Sequence, residues 1–290
     1  MGCRMDEMLG EGQIWYLNPK NYAHRMYKKR EPGGREATTM LAGAEEIRAS
    51  QVADRPISEV VRDAVEAKAN GDLDTFHRLI RELNEREAKV PGCHVLPLED
   101  CFRVVDLVQG PMAAMMCICR KNVRGEEASC LDEYSCMGIG TGMLKWERWP
   151  ERYRGGVEFL SPSQAKEWLE YWDKRGYVHM VMQEGQDFIG GLCNCDYPAC
   201  QPLRLRLDYG VTSWLVKGEY VAKVDYNQCN GCGDCIKRCQ FGALRYEVAL
   251  DKANIDPFLC FGCGLCATIC RRSAIELIPR ERFPALANVW

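Results

Sequence analysis

Cys229, Cys232, Cys235 and Cys239 are spaced C-x2-C-x2-C-x3-C, and Cys260, Cys263, Cys266 and Cys270 repeat that spacing 31 residues later. This run is the one that holds [4Fe–4S] clusters. Three cysteines at x2 spacing on a tight loop can converge on three corners of one cube. The glycines between them let the backbone turn its amides toward the sulfurs. The fourth cysteine of each run leads away and serves the other cube. One cluster is thereby expected at Cys229, Cys232, Cys235 and Cys270, and a second at Cys260, Cys263, Cys266 and Cys239. A pair of zinc sites is the competing reading, but zinc favours paired C-x2-C units. The offset of 31 also maps Asp225 onto Asp256, Gly231 onto Gly262, Gly233 onto Gly264 and Ala243 onto Ala274, so the two runs form an internal repeat.

The chain has 18 cysteines, so ten lie outside the repeat. Cys117, Cys119, Cys130 and Cys136 form one set, and Cys193, Cys195 and Cys200 another. Two thiolates as close as C-x-C places them need a cation to offset their charge. A further iron–sulfur cluster is expected here, with zinc as the alternative. The simplest grouping puts Cys117, Cys119, Cys130 and Cys136 on that cluster. A rival draws on both loops, for instance Cys117, Cys119, Cys193 and Cys200. Cys101 falls on an apolar helical face and reads as core; Cys93 and Cys3 are unassigned. GIGTG at Gly138–Gly142 reads as a plain turn rather than a phosphate loop. No Walker-type loop, H-E-x-x-H or C-x3-C-x2-C run is present, and no nucleophile has a recognisable base, so catalytic residues are unknown.

Residues 219–279 resemble a bacterial-type two-[4Fe–4S] ferredoxin domain. That likeness implies a pseudo-twofold fold with short strands flanking each cluster loop: EYVAKVDY and Leu244–Val248 in one half, KANIDP and AIELIP in the other. The family usually has Pro after each fourth cysteine; here stand Gln240 and Arg271. Arg271 and Arg272 beside a ligand should favour the reduced cluster. The motifs MCICR and LCNCDYPAC, ahead of such a domain, resemble a broad group of dicluster iron–sulfur proteins of anaerobic microbes, a likeness that runs from about residue 90 onward.

These residues need a scaffold, and 290 residues at 47% hydrophobic and 27% charged suffice for one large or two small cores. Ile57, Val60, Val61, Ala64 and Val65 share one helical face ending near Gly71. Asp72 can cap a second helix bearing Leu73, Phe76, Leu79, Ile80 and Leu83. The short link predicts an antiparallel pair. Leu98, Cys101, Phe102, Val105 and Val108 mark a third helix. Ser161, Pro162 and Gly176 bracket a fourth, with Ala165, Trp168, Leu169 and Trp172 on its apolar face. Tyr177–Met182 reads as a buried strand. His77 reads as a surface or core residue and His179 as core, neither as a ligand. The expected fold class is α+β: an arm over residues 1–50, a helical region over 51–110, a central Cys-rich mixed region over 111–215 and a ferredoxin-type dicluster domain over 216–290. The basic, aromatic stretch from Asn18 to Arg35 reads as a solvated arm or a docking strip for an acidic partner.

A formal net charge of -3 argues against a nucleic-acid partner. The longest apolar stretch, Pro111–Cys119, is too short to span a bilayer, and MGCRMDEMLG lacks a secretory h-region. A cytoplasmic, anaerobic setting is expected. Two oxidised clusters add about -4 to the charge, so a basic partner surface is anticipated. The expected function is single-electron relay to or from a redox partner, such as a flavoprotein or a metalloenzyme subunit. The alternatives are an oxidoreductase with a substrate site in residues 110–215, and a maturation factor for a client redox enzyme.

Overall fold

The computed structural model describes residues 10, 12–23, 57–87, 92–108, 110–125, 128–140, 156–183, 189–286 and 289. Cys3, most of the basic stretch beyond Ala23, and Thr141 and Gly142 of the glycine motif lie outside the described residues.

The centre is a seven-stranded sheet of order β4-β2-β3-β6-β5-β1-β7. Its strands are β1 (Cys93–Leu96), β2 (Met112–Met115), β3 (Cys136–Ile139), β4 (Val157–Leu160), β5 (Val178–Gln183), β6 (Ile189–Cys195) and β7 (Leu215–Val216). All neighbours run antiparallel except β1 and β7. Successive side chains of a strand point to opposite faces. Leu96, Met112, Ala114, Met137, Ile139, Val181 and Leu192 therefore share one face. They pack on Cys101, Val104, Val105, Ala165, Trp168, Leu169 and Trp172. The other face carries Cys93, Val95, Met115, Cys136, Val178, Met180, Cys193 and Cys195. The first two glycine-motif residues, Gly138 and Ile139, form the end of β3 rather than a turn; Gly138 pairs with Gly191, where an added Cβ would stand 2.8 Å from the Met137 carbonyl.

The short helix α1 (Lys20–Ala23) follows a 3-10 turn at Trp15–Leu17. Trp15, Tyr16 and Tyr22 are buried in the first face's core, so the start of the basic stretch is anchored. Helices α2 (Ile57–Ala69) and α3 (Leu73–Glu87) form the antiparallel pair. Gly71 takes a φ of +77° between them, and the Asp72 carboxylate accepts from the Thr75 N–H at 3.1 Å. α4 (Leu98–Leu107) and α6 (Pro162–Lys174) cover the first sheet face; α6 begins with a full capping box at Ser161 and Gln164. α5 (Ile118–Arg124) and α7 (Gln201–Tyr209) start at Cys117 and Cys200, which are their N-cap residues.

The C-terminal part holds β8 (Tyr220–Val224), α8 (Asp234–Arg238), β9 (Leu244–Glu247), β10 (Lys252–Ile255), α9 (Leu265–Thr268) and β11 (Ile275–Pro279). β8 pairs with β11, and β9 with β10, both antiparallel. The chain is thus mixed α and β, and no helix among the described residues is long and apolar enough to cross a membrane.

Candidate functional site

Both four-cysteine runs sit on loops that glycine makes possible. Gly231 and Gly262 have φ of +72° and +69°, and a Cβ on Gly262 would stand 2.2 Å from the Tyr220 carbonyl. That contact leaves no room for a side chain where the loop crosses β8. Cys239, Cys260, Cys263 and Cys266 line a single, mostly apolar cavity together with Phe241, Phe261 and Leu265. The backbone N–H groups of Ala222 and Gly262 both point at Cys260 Sγ, at 3.4 Å, and that of Ala274 at Cys270 Sγ, at 3.3 Å. Burial raises the thiols of Cys263 and Cys266, and lifts Cys235 to about 11. As thiols they are stable in this apolar setting; as thiolates they need a cation. Soft thiolates around an apolar cavity, with amides aimed at sulfur, fit an iron–sulfur cube.

The run containing Cys229, Cys232 and Cys235 lies nearer the surface, and Cys232 is exposed. The run containing Cys260, Cys263 and Cys266 faces inward. Two buried cations flank it. Arg280 donates from Nη2 to the carbonyls of Tyr220 and Cys260, at 3.1 and 3.0 Å, and from Nε to that of Gly218. Lys217 donates to the Phe258 carbonyl at 2.5 Å and lies 5.5 Å from the Phe261 ring centroid. Burial first, then Arg280 and Arg206, lowers Lys217 to about 8. Arg271 and Arg272, the cations conspicuous in the sequence, are exposed instead. Lys217 and Arg280 could not be read as site residues because only the fold carries them to the cysteine loop.

The central cysteines gather on the second sheet face. Cys136 and Cys193 are register partners on β3 and β6, with sulfurs 3.5 Å apart. Cys193 and Cys195 share that face because Asn194, between them, turns to the other; there its side chain meets His179 Nδ1 at 2.7 Å. Cys195 bonds through its thiol to Cys193 and Cys200, which together with burial raises it well above its ordinary value. Cys117 and Cys119 face the same group from the start of α5: Cys117 feels Cys193, and Cys119 feels Cys200. Donation from the Cys119 thiol lowers Cys117 and raises Cys119. The structure thus brings Cys117, Cys119, Cys136, Cys193, Cys195 and Cys200 together, five thiols from the two C-x-C segments and Cys136 from β3. It does not bring Cys130 to them: Cys130 is exposed, beside Glu133 and Tyr134. Cys101 is fully buried among apolar side chains of the opposite face, and Cys93 is buried at the edge of the cysteine face. Among the described residues no group of three or more His, Cys, Asp or Glu closes tightly enough around a point to hold a single metal ion.

The two cysteine regions form one packed layer. Cys136, Cys193, Cys195 and Cys200 share a core with Phe241, Phe261 and Leu265, against which Cys117, Cys239 and Cys263 also pack. Phe241 and Phe261 stack with centroids 4.1 Å apart and planes 8° from parallel. Gln240, which stands where the ferredoxin pattern has Pro, bridges the layer: its Oε1 accepts from the Tyr197 N–H at 2.7 Å and its Nε2 donates to the Gly176 carbonyl at 2.6 Å. Tyr197 lies in the loop between Cys195 and Cys200, and Gln240 follows Cys239, so this bond ties the two cysteine sets together.

Residues 228–275 match the family model described as a 4Fe-4S dicluster domain. No curated protein matches the chain. The chain therefore carries a C-terminal ferredoxin-like domain that binds [4Fe–4S] clusters, and its chemistry is that of an iron–sulfur electron-transfer protein.

Proposed function

We propose that this protein is a multi-cluster electron relay, in which the dicluster domain exchanges single electrons with a further [4Fe–4S] site built into the central sheet. The observation that carries this reading is the shared layer: Cys117, Cys136, Cys193, Cys195 and Cys200 lie in or against the same core as Cys239 and Cys263. In the dicluster domain, Cys229, Cys232, Cys235 and Cys270 hold one cube, and Cys260, Cys263, Cys266 and Cys239 the other. The offset of 31 maps β8 onto β10 and β9 onto β11, which turns the β8–β11 pair into the β10–β9 pair. That exchange supports the pseudo-twofold arrangement in which each run lends its fourth cysteine to the other.

The central site takes Cys117, Cys119, Cys193 and Cys200, two from each segment, with Cys136 and Cys195 beside them. This is the grouping across both segments; the one within residues 117–136 would need Cys130, which stands apart. The clusters supply one-electron chemistry. The protein's own part is to hold the sulfurs as thiolates, exclude water with Phe241, Phe261 and Leu265, and offset charge with Lys217 and Arg280. The exposed Cys232 loop is the docking point for a soluble redox protein, such as a flavoprotein or a metalloenzyme subunit, in an anaerobic cytoplasm.

The test is iron, acid-labile sulfide and zinc per chain on anaerobically purified protein. About twelve irons without zinc are expected for three cubes. About eight irons would overturn the central cluster, and about eight with one zinc would make the centre a structural zinc site.

A further inference from the structure

A cavity of about 300 Å³ opens beside the cysteine layer, lined by Met116, Cys117, Arg120, Trp172, Arg175 and Tyr177, with the exposed Asp132 and Glu133 at its rim. That volume is in the range of small-molecule sites. Its inner end is built from buried side chains: Met116, Arg120 and Trp172 are 1%, 8% and 3% exposed. Asp132, Glu133 and Arg175 are exposed, and the Glu133 carboxylate is taken by the Ser129 N–H at 2.8 Å.

Arg120 is the unusual group. Its guanidinium lies 4.8 Å from the Tyr177 ring centroid and 5.4 Å from that of Trp172, so two aromatic faces hold it in place. One nitrogen, Nη2, donates to Asp196 at 3.0 Å, but Asp196 also receives Arg124 at 2.5 Å. Two guanidiniums thus share one carboxylate. Arg120 Nε is buried and has no hydrogen-bond partner among the described residues. That nitrogen is shut away from the cavity, but Arg120 lines it, and a carboxylate shared with Arg124 leaves the guanidinium's charge only partly offset there.

We propose that this cavity is a binding site for a small oxyanion, a carboxylate or an inorganic one, which accepts from Arg120 and lies against Cys117. Arg120 supplies charge and a fixed donor, Arg175 adds a second cation at the rim, and Trp172 and Tyr177 shape the walls. The acids at the mouth face water, where their repulsion is screened. That Cys117 is also a cluster ligand rests on the relay proposed above; the anion site itself depends only on the cavity and Arg120.

The experiment is calorimetric titration of the anaerobic holoprotein at fixed ionic strength, with acetate and, separately, with sulfate. Saturable binding of one anion per chain is expected, and the tighter of the two identifies the class. Arg120→Gln should weaken it tenfold or more. Should Arg120→Gln fail to fold, Arg175→Gln is read instead, with a loss of about threefold expected from a rim charge. No saturable binding of either anion, or affinity unchanged in the variant read, overturns the site. If the iron count is about twelve, electron paramagnetic resonance of the reduced protein should change at saturating anion; an unchanged spectrum despite binding would then overturn the contact with Cys117. Iron counted on the same sample separates the two readings. Binding with about eight irons upholds the anion site and overturns the central cluster, whereas about twelve irons without binding does the reverse.

Discussion

Lys217→Met removes a buried positive charge next to the inner cube while keeping a side chain of similar length. Lys217 is 4% exposed, donates to the Phe258 carbonyl two residues before Cys260, and lies 5.5 Å from the ring centroid of Phe261. Reduction makes a four-thiolate cube more negative by one charge, from about -2 to about -3. As a general scale, a unit charge at about 8 Å and an effective dielectric of about 20 favours an added negative charge by about 2 kcal/mol. For one electron this is about 90 mV. A redox titration of the full chain at pH 7, followed by electron paramagnetic resonance, should show one cluster lowered by roughly 60–120 mV and the outer one by less than about 30 mV. Lys217→Arg should stay within about 30 mV of the unsubstituted protein, because it keeps the charge. Unmoved cluster potentials in Lys217→Met, with iron content unchanged, would refute the reading that Lys217 offsets charge at the inner cube.

Three further outcomes follow from the same geometry. Cys119→Ser should lower iron from about twelve to about eight per chain, while Cys130→Ser and Cys101→Ser should keep about twelve; equal loss in Cys130→Ser would restore the grouping within residues 117–136. Gly262→Ala should lose the inner cube, seen as a fall in iron and in visible absorbance, because the added Cβ meets the Tyr220 carbonyl. His94 is buried, its Nδ1 accepts from Trp15, and burial lowers it to about 3 even though Glu219 stands 3.4 Å from Nε2. The folded imidazole therefore stays neutral, whereas the unfolded one takes up a proton below its ordinary 6.5, so stability falls as pH drops from 6.5 toward 3. Between pH 7.5 and 5.5 the loss from this group is about 1.4 kcal/mol, and the thermal midpoint of the unsubstituted protein should fall more than that of His94→Gln.

Much of this protein was legible before any fold was known, wherever the signal is local. The x2 spacing of the cysteine runs, the glycines between them and the repeat offset are short-range properties, since a cube loop is built within a dozen residues. The helices at Ile57–Ala69, Leu73–Glu87, Leu98–Leu107 and Pro162–Lys174 were equally visible, because apolar periodicity and caps such as Asp72 and Ser161 act within one turn. The likeness to a ferredoxin domain rested on the same local motif.

What tertiary structure alone decided is the company each residue keeps. Cys117 and Cys193 are far apart in the chain, and only strand order brings β2 and β6 to either side of β3. The same order leaves Cys130 outside, although its spacing from Cys119 was acceptable. Strand alternation placed Cys193 and Cys195 on the dicluster side and Asn194 on the helix side, a distinction that pattern could not make without knowing which face was which. β1 joined the sheet from a stretch that read as helical, because its four residues are buried on both faces and carry no alternation to read. Lys217 and Arg280 belong to no motif, and neither the MCICR motif nor the position after Cys239 says what Arg120 and Gln240 touch. Their roles arise from long-range packing, which sets burial and hence the charge each can bear beside the cysteine layer.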